Sequence, residues 1–407
     1  MDEIVAYIIE FLLYGNKEAA AQVGYTADPT KWSRYKVCIQ PNGHLGKDWV
    51  LPNLSGDSRI SESPERPAQR SFSPKDGPVV ITTDIIYNTA FFISRAEELI
   101  NPQRDEHGRF LAEHSLLGQG NRLIIPLIDE YSRVLMKALD LPLPQPKWGT
   151  INLTHDIDIL TQYRHLRGAL GGIRRGHIKE VIAAWKNIHH DPAYTFEWLM
   201  EQDWQVVKQH PQTKMIYFVK HTPGKGYDYP QYNLRGKDFR LLAHYLTEHG
   251  AILGLHSSYY QLSSSKLDGF FPLSTFNYQL NRSHFLNCSI DKMQALVAAG
   301  ITDDYTMGFA DKAGFRLQTT RPVRWINPIT FELTNLVLHP LTIMDCTLQN
   351  EQYMNLSEEE AFYYCQQLID KVKQYNGELT LLWHNHIMQD HYHQTLYKDI
   401  LRFITTA

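Results

Sequence analysis

The chain has 407 residues, which is too long for one ordinary compact domain unless that domain is a barrel. Its apolar content of 43% can build a sizeable core, while a formal net charge of −4 and a pI near 6.5 argue against nonspecific binding to nucleic acid or to an anionic membrane. No apolar run approaches membrane-spanning length. We therefore expect a globular protein with small or neutral partners, no nucleic acid and no membrane span.

Two further features bear on the compartment. The four cysteines are scattered without a close pair, which fits a reducing environment and argues against a cysteine-based metal site. The chain starts with acidic residues where a secretory signal would be basic, and no small-residue cleavage site follows. We expect a cytoplasmic protein, and the sequence leaves its oligomeric state open.

The first predicted elements mix helices and strands. Apolar residues at helical spacing predict helices over residues 4–12, 88–100 and 124–139, and apolar runs predict strands over residues 35–40 and 79–82. Residues 52–78 are rich in Pro, Ser and Gly and predict an exposed loop. Prolines over residues 142–146 predict a stiff connector. We therefore predict a small α+β domain of unknown role over residues 1–146 and a second domain over residues 147–407.

Beyond residue 147, short apolar strands alternate with longer helical stretches, which is the pattern of a parallel α/β sheet or barrel. Strands are predicted over residues 150–154, 215–220, 251–255, 284–288, 341–345 and 379–383. Helices are predicted over residues 177–189, 195–210, 237–249, 291–299 and 358–375. In a barrel the carboxyl ends of the strands share one face, so polar residues that follow different strands can meet there.

Two carboxylates, Asp156 and Asp158, follow the first of these strands. Residues two apart in a strand point the same way, so both side chains can converge on one small volume. Two such carboxylates repel each other unless a cation or a proton lies between them. A turn in which both aspartates cap backbone amides and face water is the alternative interpretation.

Histidines and an arginine follow other predicted strands. His256 comes directly after the strand at 251–255, where it fits either a metal ligand or a structural histidine. Arg282 and His284 lie two positions apart in a segment predicted as extended, and Arg282 could hold a buried carboxylate ionised. His384 follows the last strand and suits proton donation. Together these strand ends predict one catalytic constellation.

The ordered motifs resemble those of the polysaccharide deacetylase (NodB-like, carbohydrate esterase) superfamily. The motifs are Thr-His-Asp-Ile-Asp at 154–158, Met-Ile-Tyr-Phe-Val at 215–219, Gly-Leu-His-Ser at 254–257, Arg-Ser-His at 282–284 and Leu-Leu-Trp-His-Asn at 381–385. The resemblance extends from about residue 147 to residue 407. It is closest to a branch in which a small domain with an Arg-Asp-Glu-His-Gly-Arg-Phe stretch, like residues 104–110 here, precedes the deacetylase domain. From residues alone, that stretch fits a solvated loop or a binding loop.

The resemblance implies a distorted (β/α) barrel and metal-dependent removal of acetyl groups from a saccharide. It implies that Asp156 is the general base, that Asp158 and His256 bind the metal, and that His384 is the general acid. Arg282 matches the arginine that steadies the base. The expected cofactor is a divalent metal ion, with zinc first, and the expected substrate is a saccharide such as a cell-envelope glycan precursor.

The sequence departs from the family pattern at one metal ligand. The family's second metal-binding histidine comes four residues after the first, where this chain has Tyr260. His284 stands where the family motif has proline, so it is the candidate for the missing imidazole, with a packing role as the alternative. Tyr259 and Trp383 are candidates to stack on sugar rings, although Trp383 fits the core equally well.

Two other functions remain open at this stage. One is a different metallohydrolase on a barrel that binds two ions, with a second site formed by His155, Asp156, Asp158 and His386. The other is a catalytically degenerate carbohydrate-binding protein that has lost its metal. The number of bound ions distinguishes these functions from a deacetylase with one.

Overall fold

The computed structural model describes residues 2–43, 45–52, 54, 77–220, 226–229, 232–260 and 276–406. The loop predicted over residues 52–78 lies almost entirely outside these residues. Within the described part, the protein is a mixed α/β structure with one three-stranded and one nine-stranded sheet. No helix in that part is long and apolar enough to cross a membrane.

The three-stranded sheet lies in the N-terminal part of the chain. Its strands β1 (Val23–Tyr25), β2 (Val37–Ile39) and β3 (Val79–Ile81) pair in parallel in this order. The accompanying helices are α1 (Asp2–Leu12), α2 (Lys17–Ala20), α3 (Ile85–Ser94), α4 (Glu97–Ile100) and α5 (Leu127–Ala138). Helix α3 is buried along its whole length, because α1, α5 and a strand of the larger sheet pack against it.

The prediction of a single helix over residues 88–100 is wrong, because the helix is interrupted at Arg95. This residue has a left-handed backbone with φ of 63° and ends α3. Its guanidinium is buried and bonds the Glu98 carboxylate at 2.6 and 2.7 Å and the Cys288 carbonyl at 2.7 Å. These long-range and local bonds compensate the cost of the unfavourable backbone.

The nine-stranded sheet contains the strands that follow the predicted connector. They are β4 (Ile151–Ile157), β5 (Lys214–Lys220), β6 (Ile252–Ser257), β7 (Phe276–Ser283), β8 (Asp303–Met307), β9 (Val323–Asn327), β10 (Glu332–Pro340), β11 (Ile343–Met344) and β12 (Leu379–Leu382). Their spatial order is β11-β12-β4-β5-β6-β7-β8-β10-β9. Neighbours are parallel throughout, except that β9 runs antiparallel to β10.

Helices connect and cover these strands. They are α6 (Leu166–Arg174), α7 (Ile178–Lys186), α8 (Phe196–Gln209), α9 (Lys237–Glu248), α10 (Ile290–Ala298), α11 (Asp345–Gln349), α12 (Glu358–Gln374) and α13 (His391–Thr406). A capping box between Ser357 and Glu360 starts α12. Helix α13 packs between α12 and α8, and the apolar faces of all three form a core with β4 and β12.

The large sheet curls until strands near its two ends adjoin. Strand β10 continues through Leu341 and Thr342 into β11, so the chain passes directly from the partner of β8 to the partner of β12. Thr342 donates its backbone N–H to the Thr380 carbonyl at 3.1 Å. The α/β class predicted from the sequence is therefore confirmed, with a curled sheet of the kind that a distorted barrel requires.

Most predicted strands of this sheet are present, but one is wrong. The strands at 150–154, 215–220, 251–255 and 379–383 correspond to β4, β5, β6 and β12, and the strand at 341–345 is shortened to β11 because Asp345 begins α11. Residues 284–288 do not form a strand, because a 3-10 turn, His284–Leu286, follows β7 there. Phe285 and Leu286 have positive φ of 60° and 54°, which no strand accommodates.

The N-terminal helices pack directly on the large sheet. Helix α3 contacts β9, where Trp325 donates its indole N–H to the Ser94 carbonyl at 3.2 Å. One continuous apolar core includes residues of α1, α3 and α5 together with β5, β6 and β9. The division into domains at residue 146 stays a prediction.

Candidate functional site

Strand β4 positions the two aspartates. Its seven residues are all buried, and their side chains alternate between the two faces of the sheet. His155 points to one face, where Nε2 lies 3.0 Å from Asp203 and Nδ1 lies 2.9 Å from the Trp383 carbonyl. Asp156 and, just past the strand, Asp158 therefore point to the opposite side. The structure does not bring His155 into a site with them.

His256, near the end of β6, faces both aspartates. Its Nε2 lies 3.2 Å from Asp158 Oδ1 and 3.6 Å from Asp156 Oδ2. Its Nδ1 lies 3.0 Å from the carbonyl of Arg282 on β7. A carbonyl oxygen can only accept, so Nδ1 carries a proton, and Nε2 is the ring atom that faces the aspartates.

His284 approaches from the turn after β7. Its Nε2 lies 3.2 Å from the same Oδ1 atom of Asp158 that faces His256. Its Nδ1 lies 2.9 Å from Asp228, which also accepts from the Ser258 hydroxyl at 2.5 Å and from the Tyr259 backbone N–H at 2.9 Å. The carboxylate of Asp228 thus fixes the orientation of the His284 ring, as outer partners do for metal-binding histidines.

The three side chains Asp158, His256 and His284 offer ligand atoms that lie within 4.8 Å of one another. Asp158 Oδ1 and His256 Nε2 are buried and have no hydrogen-bond partner among the described residues. Converging lone pairs repel unless a cation or a proton lies between them. One carboxylate and two imidazoles suit zinc and related divalent ions, so these residues fit the metal that the sequence predicts.

The electrostatics of this group favour an ionised carboxylate. Burial raises the pKa of Asp158, but the adjacent His284 and His256 outweigh it and hold that pKa well below its usual value. Burial lowers the pKa of His284, and the neighbouring carboxylates of Asp158 and Asp228 reverse the effect and raise it. The cluster therefore attracts positive charge.

Arg282 is fully buried beside Asp156. Its Nη1 lies 3.4 Å from Asp156 Oδ1, its Nε donates to the Tyr305 carbonyl at 3.0 Å, and its guanidinium lies 4.7 Å from the centre of the Phe218 ring. Burial lowers the pKa of Arg282. The fixed guanidinium can hold Asp156 in one orientation.

His384 lies on the other side of the aspartates. Its Nε2 is 3.6 Å from Asp158 Oδ2 and 4.0 Å from Asp156 Oδ2. Its Nδ1 lies 2.9 Å from Asp345 Oδ1, and its backbone N–H donates to Asp345 Oδ2 at 2.5 Å. Burial opposes ionisation of both groups, yet Asp345 raises the pKa of His384 well above its usual value, and His384 lowers the pKa of Asp345 to about 2. His384 is thus a buried, oriented proton carrier.

The two aromatic candidates for sugar stacking, Trp383 and Tyr259, differ in how exposed their rings are. Trp383 is fully buried and packs on Tyr397 with ring centres 5.0 Å apart, so it belongs to the core and cannot stack on a ligand. Tyr259 is half-buried and lies 4.6 Å from the ring of Tyr227. The Tyr260 side chain is 47% exposed.

The segment at 104–110 is part of the wall beside the site and not a free solvated loop. Arg109 pairs with Asp105 at 2.7 Å and donates to the carbonyl of Phe285 at 3.3 Å and to the Tyr353 hydroxyl at 2.9 Å. The His107 ring packs 5.0 Å from the Phe285 ring. The N-terminal part of the chain therefore supports the turn that carries His284.

Sequence reasoning missed Asp228 and gave Asp345 no role. Asp228 lies between Tyr227 and Tyr229 in a polar segment after β5, without any strand-end signal. Asp345 is the last residue of the strand predicted over residues 341–345, and this position at the end of an apolar run is the available signal. In the structure it starts α11, where its carboxylate meets His384.

Comparisons with known proteins place the chain only coarsely. A profile of a family of unknown function, DUF7033, matches residues 5–144. The chain is also similar to the crystal structure of a provisionally assigned polysaccharide deacetylase from Mycobacterium smegmatis, with a TM-score of 0.39 and 11% identity. That similarity covers 65% of this chain and 86% of the other. No curated protein matches the sequence.

Proposed function

We propose that this protein is a metal-dependent hydrolase that removes acetyl groups from a saccharide, with N-acetyl groups of a cell-envelope glycan precursor as the expected substrate. The observation that carries the proposal is the approach of His256 Nε2 and His284 Nε2, each to 3.2 Å from Asp158 Oδ1. Asp156 and His384 adjoin this group, because Asp156 Oδ2 lies 3.6 Å from His256 Nε2 and His384 Nε2 lies 3.6 Å from Asp158 Oδ2. The choice of acetyl groups and saccharides rests on the resemblance of the sequence motifs.

Asp158, His256 and His284 would hold the divalent ion, with zinc expected from the donor set, and the bound ion would polarise the acetyl carbonyl and lower the pKa of a water. In this proposal His284 replaces the histidine that Tyr260 displaces. Two imidazoles and one carboxylate then remain available, as in the family pattern.

Asp156 acts as the general base and takes a proton from the attacking water. Arg282 Nη1, 3.4 Å from Asp156 Oδ1, holds the carboxylate in place to accept that proton. The tetrahedral carbon that forms must then expel an amine or an alcohol, and an amine leaves poorly as its anion.

His384 supplies the proton to the leaving group. Asp345 raises the pKa of His384, so the imidazole enters the reaction protonated at Nε2, the atom that faces the aspartates. Asp345 does not itself reach the reacting atoms, because its carboxylate contacts the opposite ring nitrogen. It is therefore a positioning residue.

The test measures bound metal and acetate release on the same preparations. We expect one ion per chain in the wild type and acetate release from N-acetylated oligosaccharides. The Asp158→Ala and His256→Ala variants should lose both. The His384→Gln variant should keep the ion and lose about 100-fold or more in kcat, because only proton donation is removed.

Other outcomes overturn the proposal. Two ions per chain would favour the rival metallohydrolase. No ion after zinc or cobalt is supplied, together with saccharide binding, would favour a degenerate binding protein. A His384→Gln variant with unchanged kcat would remove the general acid from the mechanism.

A further inference from the structure

Helices α6 and α7 form a hairpin whose small residues face inward and whose large apolar residues face outward. The buried side chains between the helices are Ala169, Val181 and Ala184, which pack with Tyr163. The turn between the helices uses Gly176 at φ of 88°. This arrangement is the reverse of an ordinary surface helix, in which the large apolar residues pack on the core.

The outward face of each helix bears a regular apolar stripe. On α6 the stripe is Leu166, Leu170 and Ile173, whose exposed fractions are 75%, 59% and 46%. On α7 the stripe is Ile178, Ile182 and Trp185, with exposed fractions of 50%, 50% and 54%. Both stripes follow helical spacing of four and then three residues, so each presents one continuous ridge. The six residues form what we call the hairpin surface.

Basic residues accompany the hairpin surface. The part of the chain from 166 to 187 contains one acidic residue, Glu180, and five basic ones, which are Arg167, Arg174, Arg175, Lys179 and Lys186. All are exposed. This segment is therefore positively charged, although the whole chain has a net charge of −4. Exposed apolar ridges with basic flanks and a tryptophan are the pattern of helices that lie in the interface of an anionic bilayer.

The hairpin is held firmly to the rest of the protein. Arg164 pairs with Asp238 at the start of α9 at 2.8 and 2.9 Å and donates to the Ala184 carbonyl at 2.7 Å. The Trp185 indole N–H donates to the Tyr163 carbonyl at 2.8 Å, which leaves the ring face outward. An anchored hairpin with exposed apolar ridges loses little conformational freedom on docking.

We propose that the hairpin surface docks on an anionic lipid bilayer. The apolar ridges would enter the interface between headgroups and acyl chains, and the basic side chains would contact lipid phosphates. A protein partner would also cover the ridges, but the basic excess over one hairpin in an acidic chain favours an anionic lipid surface.

Docking in this way would bring the lipid surface to the edge of the sheet that carries the candidate site. The hairpin follows β4 and Asp158 directly in the chain. Arg167 also lies 5.0 Å from the ring centre of Tyr229, the residue next to Asp228, which bonds His284. A substrate presented at a membrane surface would therefore meet the site without leaving that surface.

The test is co-sedimentation of the full chain with vesicles of phosphatidylcholine, with or without phosphatidylglycerol. We expect binding to the anionic vesicles that weakens as salt is raised, because exposed charges are screened. A Leu166→Gln, Leu170→Gln, Ile173→Gln variant should lose about 100-fold or more in partition, because its apolar ridge is gone. An Arg174→Gln, Arg175→Gln variant should lose about tenfold or more on anionic vesicles.

The matched control changes exposed apolar residues elsewhere. A Leu241→Gln, Tyr363→Gln variant alters side chains on α9 and α12 and should bind vesicles like the wild type. Urea unfolding shows that each variant is folded. The proposal fails if the wild type ignores anionic vesicles, or if the ridge variant binds as well as the control. It also fails if the wild type is a dimer that only the ridge variant dissociates, because the face is then a protein interface.

Discussion

His284 Nδ1 and Asp228 Oδ1 lie 2.9 Å apart, although the two residues are 56 positions apart in the chain. Asp228 is completely buried and takes two further hydrogen bonds from Ser258 and Tyr259. A carboxylate held on three sides cannot turn away, so it fixes the imidazole with Nε2 toward Asp158.

Replacing Asp228 should therefore weaken metal binding without removing a ligand. We expect Asp228→Ala to raise the Kd for zinc or cobalt about 10- to 100-fold, measured by competition with a chelating dye. Asp228→Asn, which still accepts from Nδ1–H, should retain more affinity. Asp140→Ala, at an exposed carboxylate in the N-terminal part of the chain, is the control. Equal affinity in Asp228→Ala and wild type would mean that His284 needs no positioning partner.

We expect the protein to lose stability at alkaline pH because His339 loses its proton there. It lies between Glu378 at 2.7 Å and Asp303 at 2.9 Å and stacks on Tyr305. Burial lowers its pKa, but the two carboxylates dominate and raise it from 6.5 to about 9. The charged form is thus favoured in the folded protein. Its contribution is fully present below pH 6.5 and is lost as pH rises through about 9.

The measurement is the free energy of unfolding in urea across that pH range. The difference between wild type and His339→Gln should be largest near neutral or mildly acidic pH and should shrink by about 1 kcal/mol or more at alkaline pH. His244→Gln, an exposed residue on α9, should show no such trend. A difference that stays constant with pH would contradict the raised pKa.

Asp129 on α5 should contribute strongly to stability. It is completely buried and accepts from the Thr319 hydroxyl at 2.9 Å, from the Thr320 backbone N–H at 2.7 Å and from Arg321 Nε at 2.9 Å. Asp129→Ala leaves the buried guanidinium of Arg321 without its carboxylate, which costs about 3–5 kcal/mol in the free energy of unfolding. Asp140→Ala, at an exposed carboxylate, should change it by ~0.5 kcal/mol or less.

The Asp129→Ala variant also tests whether the N-terminal part of the chain and the large sheet unfold as one cooperative unit. Because Asp129 joins α5 to residues beyond β8, one shifted transition is expected for the whole chain. If Asp129→Ala lowers the free energy of unfolding by less than about 1 kcal/mol, the contact contributes little to stability. If unfolding shows two separate transitions of which only one shifts, the N-terminal part and the large sheet do not unfold together.

The sequence predicts those strands that consist of a run of consecutive apolar residues. Strands β4, β5, β6 and β12 are buried runs, and the polar residues that end them could be named as candidates from spacing alone. Strands β7, β8 and β10 contain polar residues, and their burial depends on distant partners. Arg282 on β7, for example, is buried against Phe218, Tyr305 and Asp156, which belong to three other strands.

The sequence by itself determined the α/β class, the placement of Asp156, Asp158, His256 and His384 at or just past the carboxyl ends of buried strands, and the candidacy of His284. Those features follow from local periodicity, which is set by the backbone geometry of strands. Only the tertiary structure decided that His284 comes from a turn and not from a strand. The backbone of that turn has positive φ at Phe285 and Leu286. The Phe285 carbonyl accepts a hydrogen bond from Arg109, 176 residues earlier, and local sequence patterns do not predict contacts between residues so far apart in the chain.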